Sequence, residues 1–175
     1  MRRICYAVAM SLDGYIAGPN GEADWIVSDP EIDFGATFAR FDALLMGRRT
    51  FELTQAAGAP KMPGFSVVVA SRTLRAEDYS DVTIIGKDLE SEISRLRAKR
   101  GKDIWLFGGT ALFRSLLEIG QLDTVEVAVM PVLLGGGLPL LPGSSGRAKL
   151  KLVGSKAYPT SGIVRLEYSA ERKIA

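Results

Sequence analysis

DIWLFGGTALF, residues 103–113, is the stretch on which the reading of this chain turns. An apolar run, IWLF, stops at two adjacent glycines, and Thr110, Ala111, Leu112 and Phe113 then read as the first turn of a helix. A buried strand that passes through glycine straight into a helix is the repeating unit of an α/β sheet. One glycine is enough for most turns. Two of them raise the question of what lies so close to the backbone that neither position carries a side chain.

The same pattern recurs on both sides of this stretch. DALLMG (42–47), FSVVVAS (65–71) and VTIIG (82–86) are apolar strands, and the first of them runs into RRTFELT (48–54), which reads as a short helix. LESEISRLRAKR (89–100) is amphipathic, with Leu89, Ile93 and Leu96 on one face. Upstream, RICYAVAM (3–10) is a strand, followed by SLDGYIAGPNGEADW (11–25), a loop long enough to be functional. SDPEIDFGATFARF (28–41) is expected to be helical, with Ser28 or Asp29 as N-cap, Pro30 in the first turn, and Ile32, Phe34, Phe38 and Phe41 at helical spacing. Downstream come the helix TALFRSLLEIG (110–120), the strand TVEVAVMPVLL (124–134) and GGGLP (135–139), read as a loop closing that strand. KLKLVGSKAY (149–158) and GIVRLEYSAERK (162–173) form a closing antiparallel hairpin. Continuous apolar strands separated by helices imply a mostly parallel sheet covered on both faces. The expected fold is one α/β domain over residues 1–175, a three-layer sandwich around a central mixed, mostly parallel sheet with the hairpin at its edge.

Composition narrows the function. The chain has 175 residues, 47% hydrophobic and 24% charged, enough to bury a core in one domain. Its net charge of +2 is spread along the sequence, so no basic stripe argues for nucleic acid. No apolar run is long enough to span a membrane, and Asp13 interrupts the hydrophobic start where a signal peptide would be unbroken. A cytoplasmic location is the default expectation. Cys5, the single cysteine, reads as a buried, inert thiol within a strand. The absence of histidine removes histidine-based triads and zinc sites, and with them the commonest acid and base near neutral pH. No metal site is expected, and the chemistry must use carboxylates, hydroxyls, backbone dipoles or a cofactor.

In open α/β sheets ligands bind beyond the carboxyl ends of the strands. Three exits here carry suitable groups. MGRRT (46–50) places Gly47, Arg48, Arg49 and Thr50 at a helix start, where free N–H groups and the helix dipole favour phosphate. VVVASRT (67–73) ends in Ser71 and Arg72, and FGGT (107–110) holds the paired glycines Gly108 and Gly109. Together they suggest a ligand with more than one phosphate. Each also has a plainer use: Gly47 and the glycine pair as simple turns, the arginines as solvated charges, Ser71 as a strand end. Neither GxGxxG nor GxxxxGK[ST] is present, which counts against dinucleotide-fingerprint and P-loop readings.

MSLDGYIAGPNGEADW, FDALLMGRRTFE and DIWLFGGTALFRSLLEIGQLDTVEVAVMPVLLGGGLPLL, in that order and spacing, resemble the dihydrofolate reductase-like superfamily. The similarity is strongest to the branch containing the riboflavin-biosynthesis reductase domain and the dihydrofolate reductase family proteins, and it covers nearly the whole chain. The resemblance implies NADPH as cofactor, with Gly47, Arg48, Arg49, Thr50, Ser71 and Arg72 around its phosphates. It places Gly108 and Gly109, joined by a cis peptide in many relatives, against the pyrophosphate and nicotinamide with the helix start Thr110, Ala111 and Leu112. Ala9 and Ile16 would flank the nicotinamide, and Trp25 with loop 14–24 would cover the site. Asp13 is the candidate acid or substrate anchor, or else an Asx-turn residue that holds its loop. Glu31 and Asp33 compete for the substrate-side carboxylate that rises from the first helix in folate-reducing relatives. The implied reaction is hydride transfer from NADPH to a pterin-like, pyrimidine-like or other imine or carbonyl substrate, as in dihydrofolate or 5-amino-6-(5-phosphoribosylamino)uracil reduction. The rival reading is an NADPH-binding sensor or scaffold without turnover. The segment FELTQAAGAPKMPGF lacks the ribose-phosphate motif usual in riboflavin reductases, so the substrate stays open. A homodimer is expected from the exposed strand-rich edge and from the branch's habit of pairing.

Overall fold

The computed structural model describes residues 1–58, 64–143 and 147–171. Among the described residues ten strands and four α-helices follow one another in an α/β order. They are β1 (Ile4–Ser11), β2 (Tyr15–Ala17), α1 (Phe34–Phe38), β3 (Phe41–Gly47), α2 (Arg48–Ala56), β4 (Ser66–Ala70), β5 (Val82–Ile85) and α3 (Leu89–Ala98). Then come β6 (Asp103–Gly108), α4 (Thr110–Glu118), β7 (Thr124–Met130), β8 (Leu138–Pro139), β9 (Leu150–Tyr158) and β10 (Ile163–Ala170). Eight strands form the central sheet in the order β5-β4-β3-β6-β1-β7-β10-β9. The ladders are parallel from β5 to β7, and β10 and β9 add antiparallel pairs at one edge. This is the mixed, mostly parallel three-layer architecture that the sequence implies.

Side-chain alternation divides the core between the two faces of the sheet. On one face Ile4, Tyr6, Leu45, Leu106 and Val127 meet Ile93 and Leu96 of α3 and Leu112, Phe113 and Leu116 of α4. The Tyr6 ring stacks on Phe113 with centroids 4.2 Å apart. On the other face Leu44, Met46 and Val69 pack under Phe51 of α2, while Met130, Tyr158 and Ile163 pack with Ala9, Trp25 and Ile32.

Between those two apolar groups lies a buried charge. Glu126 of β7 accepts both terminal nitrogens of Arg40, at 2.9 and 2.6 Å, and one from Arg165 at 2.9 Å. Its side chain is 3% exposed. Burial alone pushes the Glu126 carboxyl up in pKa, but the two guanidinium groups outweigh that and hold it below its ordinary value.

Three elements differ from the sequence expectation. The helix expected over 28–41 is confined to Phe34–Phe38 and is capped by Asp33, whose carboxylate accepts from the Ala36 N–H at 2.8 Å. Asp29 is not a cap of that helix. It is buried, accepting from the N–H groups of Glu31 and Ser161, and so ties its segment to the β9–β10 turn instead of to a helical turn. β7 ends at Met130 because Pro131 has no N–H to continue the ladder. The segments read as loops around 15–17 and 138–139 pair as a small two-stranded sheet, β2 with β8. Residues 172–173 of the expected hairpin lie outside the described residues.

Candidate functional site

The strand exits chosen from the sequence are neighbours in space. Gly47 at the end of β3 pairs in register with Ala70 at the end of β4, and Met46 pairs with Gly108 at the end of β6. Adjacent strands lie about 4.8 Å apart, so these ends form one continuous rim. α2 and α4 both start on it. Their N-caps are Gly47 and Gly109, and neither helix has a side-chain cap, so first-turn N–H groups are left without a side-chain acceptor.

The two glycines of the opening stretch are explained first by the chain itself. A Cβ on Gly108 would lie 2.9 Å from the Thr50 methyl, and one on Gly109 would lie 3.4 Å from the Gly47 nitrogen. Their missing side chains let the two helix starts sit side by side. No peptide bond among the described residues is cis, so the cis link implied for Gly108 and Gly109 is corrected. The chain turns there through a positive φ of 98° at Gly109. Gly109→Ala should therefore lower stability by about 1–3 kcal/mol, because no other residue adopts that conformation cheaply. Chemical denaturation checks this, and an unchanged midpoint would show that the turn relaxes freely.

Next to this rim the sheet opens. The ladder between β1 and β6 ends at Tyr6 and Leu106, although the two strands continue to Ser11 and Gly108. Chain order also reverses here, since β3, β4 and β5 lie to one side of β6 and β7 lies beyond β1. A crevice at such a switch point is where α/β sheets take ligands. Ala7 and Ala9 of β1 and Ala128 of β7 share one face and supply a floor of small side chains. Trp105 stands on the same face of β6 and donates its Nε1 hydrogen to the Ala7 carbonyl at 3.0 Å. Phe38 stacks on Trp105 at 5.3 Å, and Phe107 meets it edge-on at 5.1 Å.

A family model for the RibD C-terminal domain matches residues 2–164, with this crevice inside the match. The chain belongs to that family. Uncharacterized protein YyaP of Bacillus subtilis (strain 168) is 34% identical over 95% of this chain and 94% of its own length. The riboflavin biosynthesis protein RibD of Mycobacterium tuberculosis is 29% identical over 76% of this chain, a match that spans 43% of RibD. Among solved structures, a putative riboflavin biosynthesis protein from Shewanella sp. PV-4 superposes with a TM-score of 0.81 at 27% identity, covering 98% of this chain and 100% of that one. The Thermotoga maritima diaminohydroxyphosphoribosylaminopyrimidine deaminase/5-amino-6-(5-phosphoribosylamino)uracil reductase shares the fold at 18% identity, with a TM-score of 0.71 over 97% of this chain and 57% of that one.

Within this RibD C-terminal domain the candidate residues fall into three groups. Gly47, Arg48, Arg49, Thr50, Arg72, Gly108, Gly109, Thr110 and Ala111 gather on the rim, while Leu112, in the first turn of α4, turns its side chain into the core. Arg49 and Arg72 are exposed and have no carboxylate partner among the described residues, while Arg48 reaches Glu52 at 3.6 Å. Ser71 sits there too, but its hydroxyl accepts from the N–H groups of Thr73 and Leu74 and so shapes its own turn. Lys87, at the exit of β5, is a rim cation that the sequence reading passed over. Gly86 before it packs so closely on Ser71 that a Cβ would fall 2.0 Å from the Ser71 carbonyl oxygen, and VTIIGK repeats the strand, glycine and cation pattern.

Ala9, Ile16 and Trp25 belong to the first-strand side. Ala9 and Trp25 join one cluster, and Ile16 lies in β2. The carboxylates have other uses. Glu31 lies outside α1, exposed, with Lys156 at 3.4 Å, and Asp33 caps α1, so neither rises from a helix into the crevice. Asp13 accepts hydrogen bonds from the Ser11 hydroxyl at 2.6 Å and from the N–H groups of Leu134 and Gly135 at 3.1 and 2.7 Å. The Ser11 hydroxyl first, and the two backbone N–H groups with it, hold its carboxyl below the ordinary value. It fastens the first loop to the glycine-rich loop after β7, a bond suited to an anchor and unsuited to an acid.

Proposed function

We propose that this protein is an NADPH-dependent reductase that delivers a hydride to a C=N or C=O bond of a small planar substrate, pterin-like or pyrimidine-like. The observation carrying this is the meeting of two helix starts without side-chain caps and a row of exposed cations, Arg49, Arg72 and Lys87, with no carboxylate partner among the described residues, beside the point where β1 and β6 part. Those groups fit a ligand bearing several phosphates, and membership of the RibD C-terminal domain family supports a reductase. NADPH, when bound, supplies the hydride. First-turn N–H groups of α2 and α4 would hold the pyrophosphate, and Arg49, Arg72 and Lys87 the 2′-phosphate. Gly108 and Gly109 keep the rim free of side chains, while Ala9 and Ile16 offer an apolar flank to the nicotinamide. NADPH consumption across a panel of pterin, pyrimidine and carbonyl substrates tests the proposal. The rival sensor or scaffold reading draws on Asp13, Glu31 and Asp33 all being engaged elsewhere. It would be supported by tight NADPH binding with no consumption on any substrate.

Asp13 then acts as a positioning residue, and water admitted at the crevice mouth is the proton source. Its folded pKa is lowered, so its contribution to the loop contact is present at neutral pH and is lost only as pH falls through that lowered value. Asp13→Asn should raise KM for both ligands while leaving the shape of the kcat/KM profile between about pH 5 and 8 unchanged. A rate limb missing from the mutant profile would restore Asp13 as an acid.

We also propose a homodimer. Leu150, Leu152 and Val153 of β9 and Val164 of β10 leave an exposed apolar surface at the antiparallel edge. Light scattering should give twice the 18.9 kDa chain mass, and a monomer at micromolar concentration would refute the dimer.

A further inference from the structure

The two halves of the cleft treat charge in opposite ways. On the rim, Arg49, Arg72 and Lys87 are exposed and have no carboxylate partner among the described residues. On the other half, around Ala9 and Ala128, the cations are already committed. Arg40 and Arg165 share Glu126, and Lys156 pairs with Glu31 while lying over the Tyr158 ring at 4.5 Å. The segment beside this half adds Asp24 and Asp33, both exposed, and no basic residue between 22 and 38, and Glu167 of β10 lies in register with Glu126. Between these charges the lining is apolar: alanines below, Phe38, Trp105 and Phe107 on one side, Trp25 on the other.

The carboxylates of this half, Glu126, Glu167, Glu31, Asp24 and Asp33, outnumber its cations, Arg40, Arg165 and Lys156, so a phosphate brought there would meet net repulsion, which salt screens over roughly 8–10 Å. Arg165 meets Glu126 through one terminal nitrogen, and drawing it toward a phosphate would weaken its hold on that buried carboxylate. A flat, neutral ring meets neither obstacle and can stack on the aromatic wall.

We propose that the substrate half of the cleft takes a planar ring that is uncharged or cationic and bears no phosphate. This rests on the reductase reading, which assigns the rim to the cofactor. It sets the chain apart from the Thermotoga maritima relative, whose name specifies a phosphoribosyl substrate.

The test is a matched pair of probes, 5-amino-6-(ribosylamino)uracil and its 5′-phosphate, with lumazine as a simple planar ring. Each is titrated into the full chain with NADP⁺ present, following tryptophan fluorescence, since Trp25 and Trp105 stand on opposite sides of the floor. The phosphate should weaken binding by at least about tenfold at low salt, and added salt should narrow the gap. Glu31→Gln, which removes an anion and releases Lys156, should narrow it as well. Equal or tighter binding of the phosphorylated probe overturns the proposal, as does a gap that neither salt nor Glu31→Gln changes. Failure of all three rings to bind a protein that binds NADP⁺ also overturns it. Failure of NADP⁺ to bind, with the rings still binding selectively, would instead remove the reductase reading and leave this assignment standing.

Discussion

Glu126→Ala is expected to cost about 3–5 kcal/mol of folding stability, the penalty typical of breaking a buried ion pair from one side. Glu126 is the shared acceptor for Arg40 and Arg165, and its removal leaves two guanidinium groups in a partly buried site with only the weaker field of Glu167 to balance them. The arginines are 29% and 33% exposed, so some of that loss can be recovered by rotation toward water, which favours the lower end of the range. Replacing all three residues together with apolar ones of similar volume should cost less than the single change, because no charge is then stranded. The pH dependence has a definite sign. The folded pKa of Glu126 is lowered, so its stabilisation is present above the unfolded carboxylate value of about 4.3 and disappears as pH falls through the folded value. Urea denaturation near neutral pH measures the loss, and a change below about 1 kcal/mol would mean that the network contributes little.

The second large effect is on cofactor binding. Arg49→Ala or Arg72→Ala should each weaken NADPH by about tenfold to a hundredfold, since hydrogen bonds to charged groups contribute roughly 1.5–3 kcal/mol. If the two act on the same phosphate, the double variant should lose less than the product of the singles. NADH, which lacks the 2′-phosphate, should be affected far less. Equal losses for both cofactors would move these arginines to the pyrophosphate or to folding.

Much of the rim was legible in the sequence because its signals are local. A buried strand, a glycine and a cation at a helix start occur within five residues at MGRRT, and the backbone there does what those residues favour. Lys87 shows that the same signal was available in VTIIGK and was passed over. What could not be read depends on partners far along the chain. Asp29 looked like a helix cap until Ser161, 132 residues later, was seen to donate to it. Asp13 was open between an acid or substrate anchor and a residue holding its loop, and its bonds from the N–H groups of Leu134 and Gly135, far along the chain, had no signal in the sequence. Glu126 sits inside TVEVAVM, which reads as an apolar strand, and only an unexplained charge in that run hinted at Arg40 and Arg165. β2 and β8 are three and two residues long, too short for any periodicity.

The joined exits of β3, β4 and β6, with the exit of β5 beside them, are proposed to hold the phosphates of NADPH. Calorimetric titration of the full chain with NADPH and with NADH, at low and at physiological salt, tests it most directly. Saturable one-to-one NADPH binding is expected, at least about tenfold tighter than NADH, with a preference that shrinks as salt screens the cations. Equal affinity for the two, or no binding of NADPH at either salt, would contradict it.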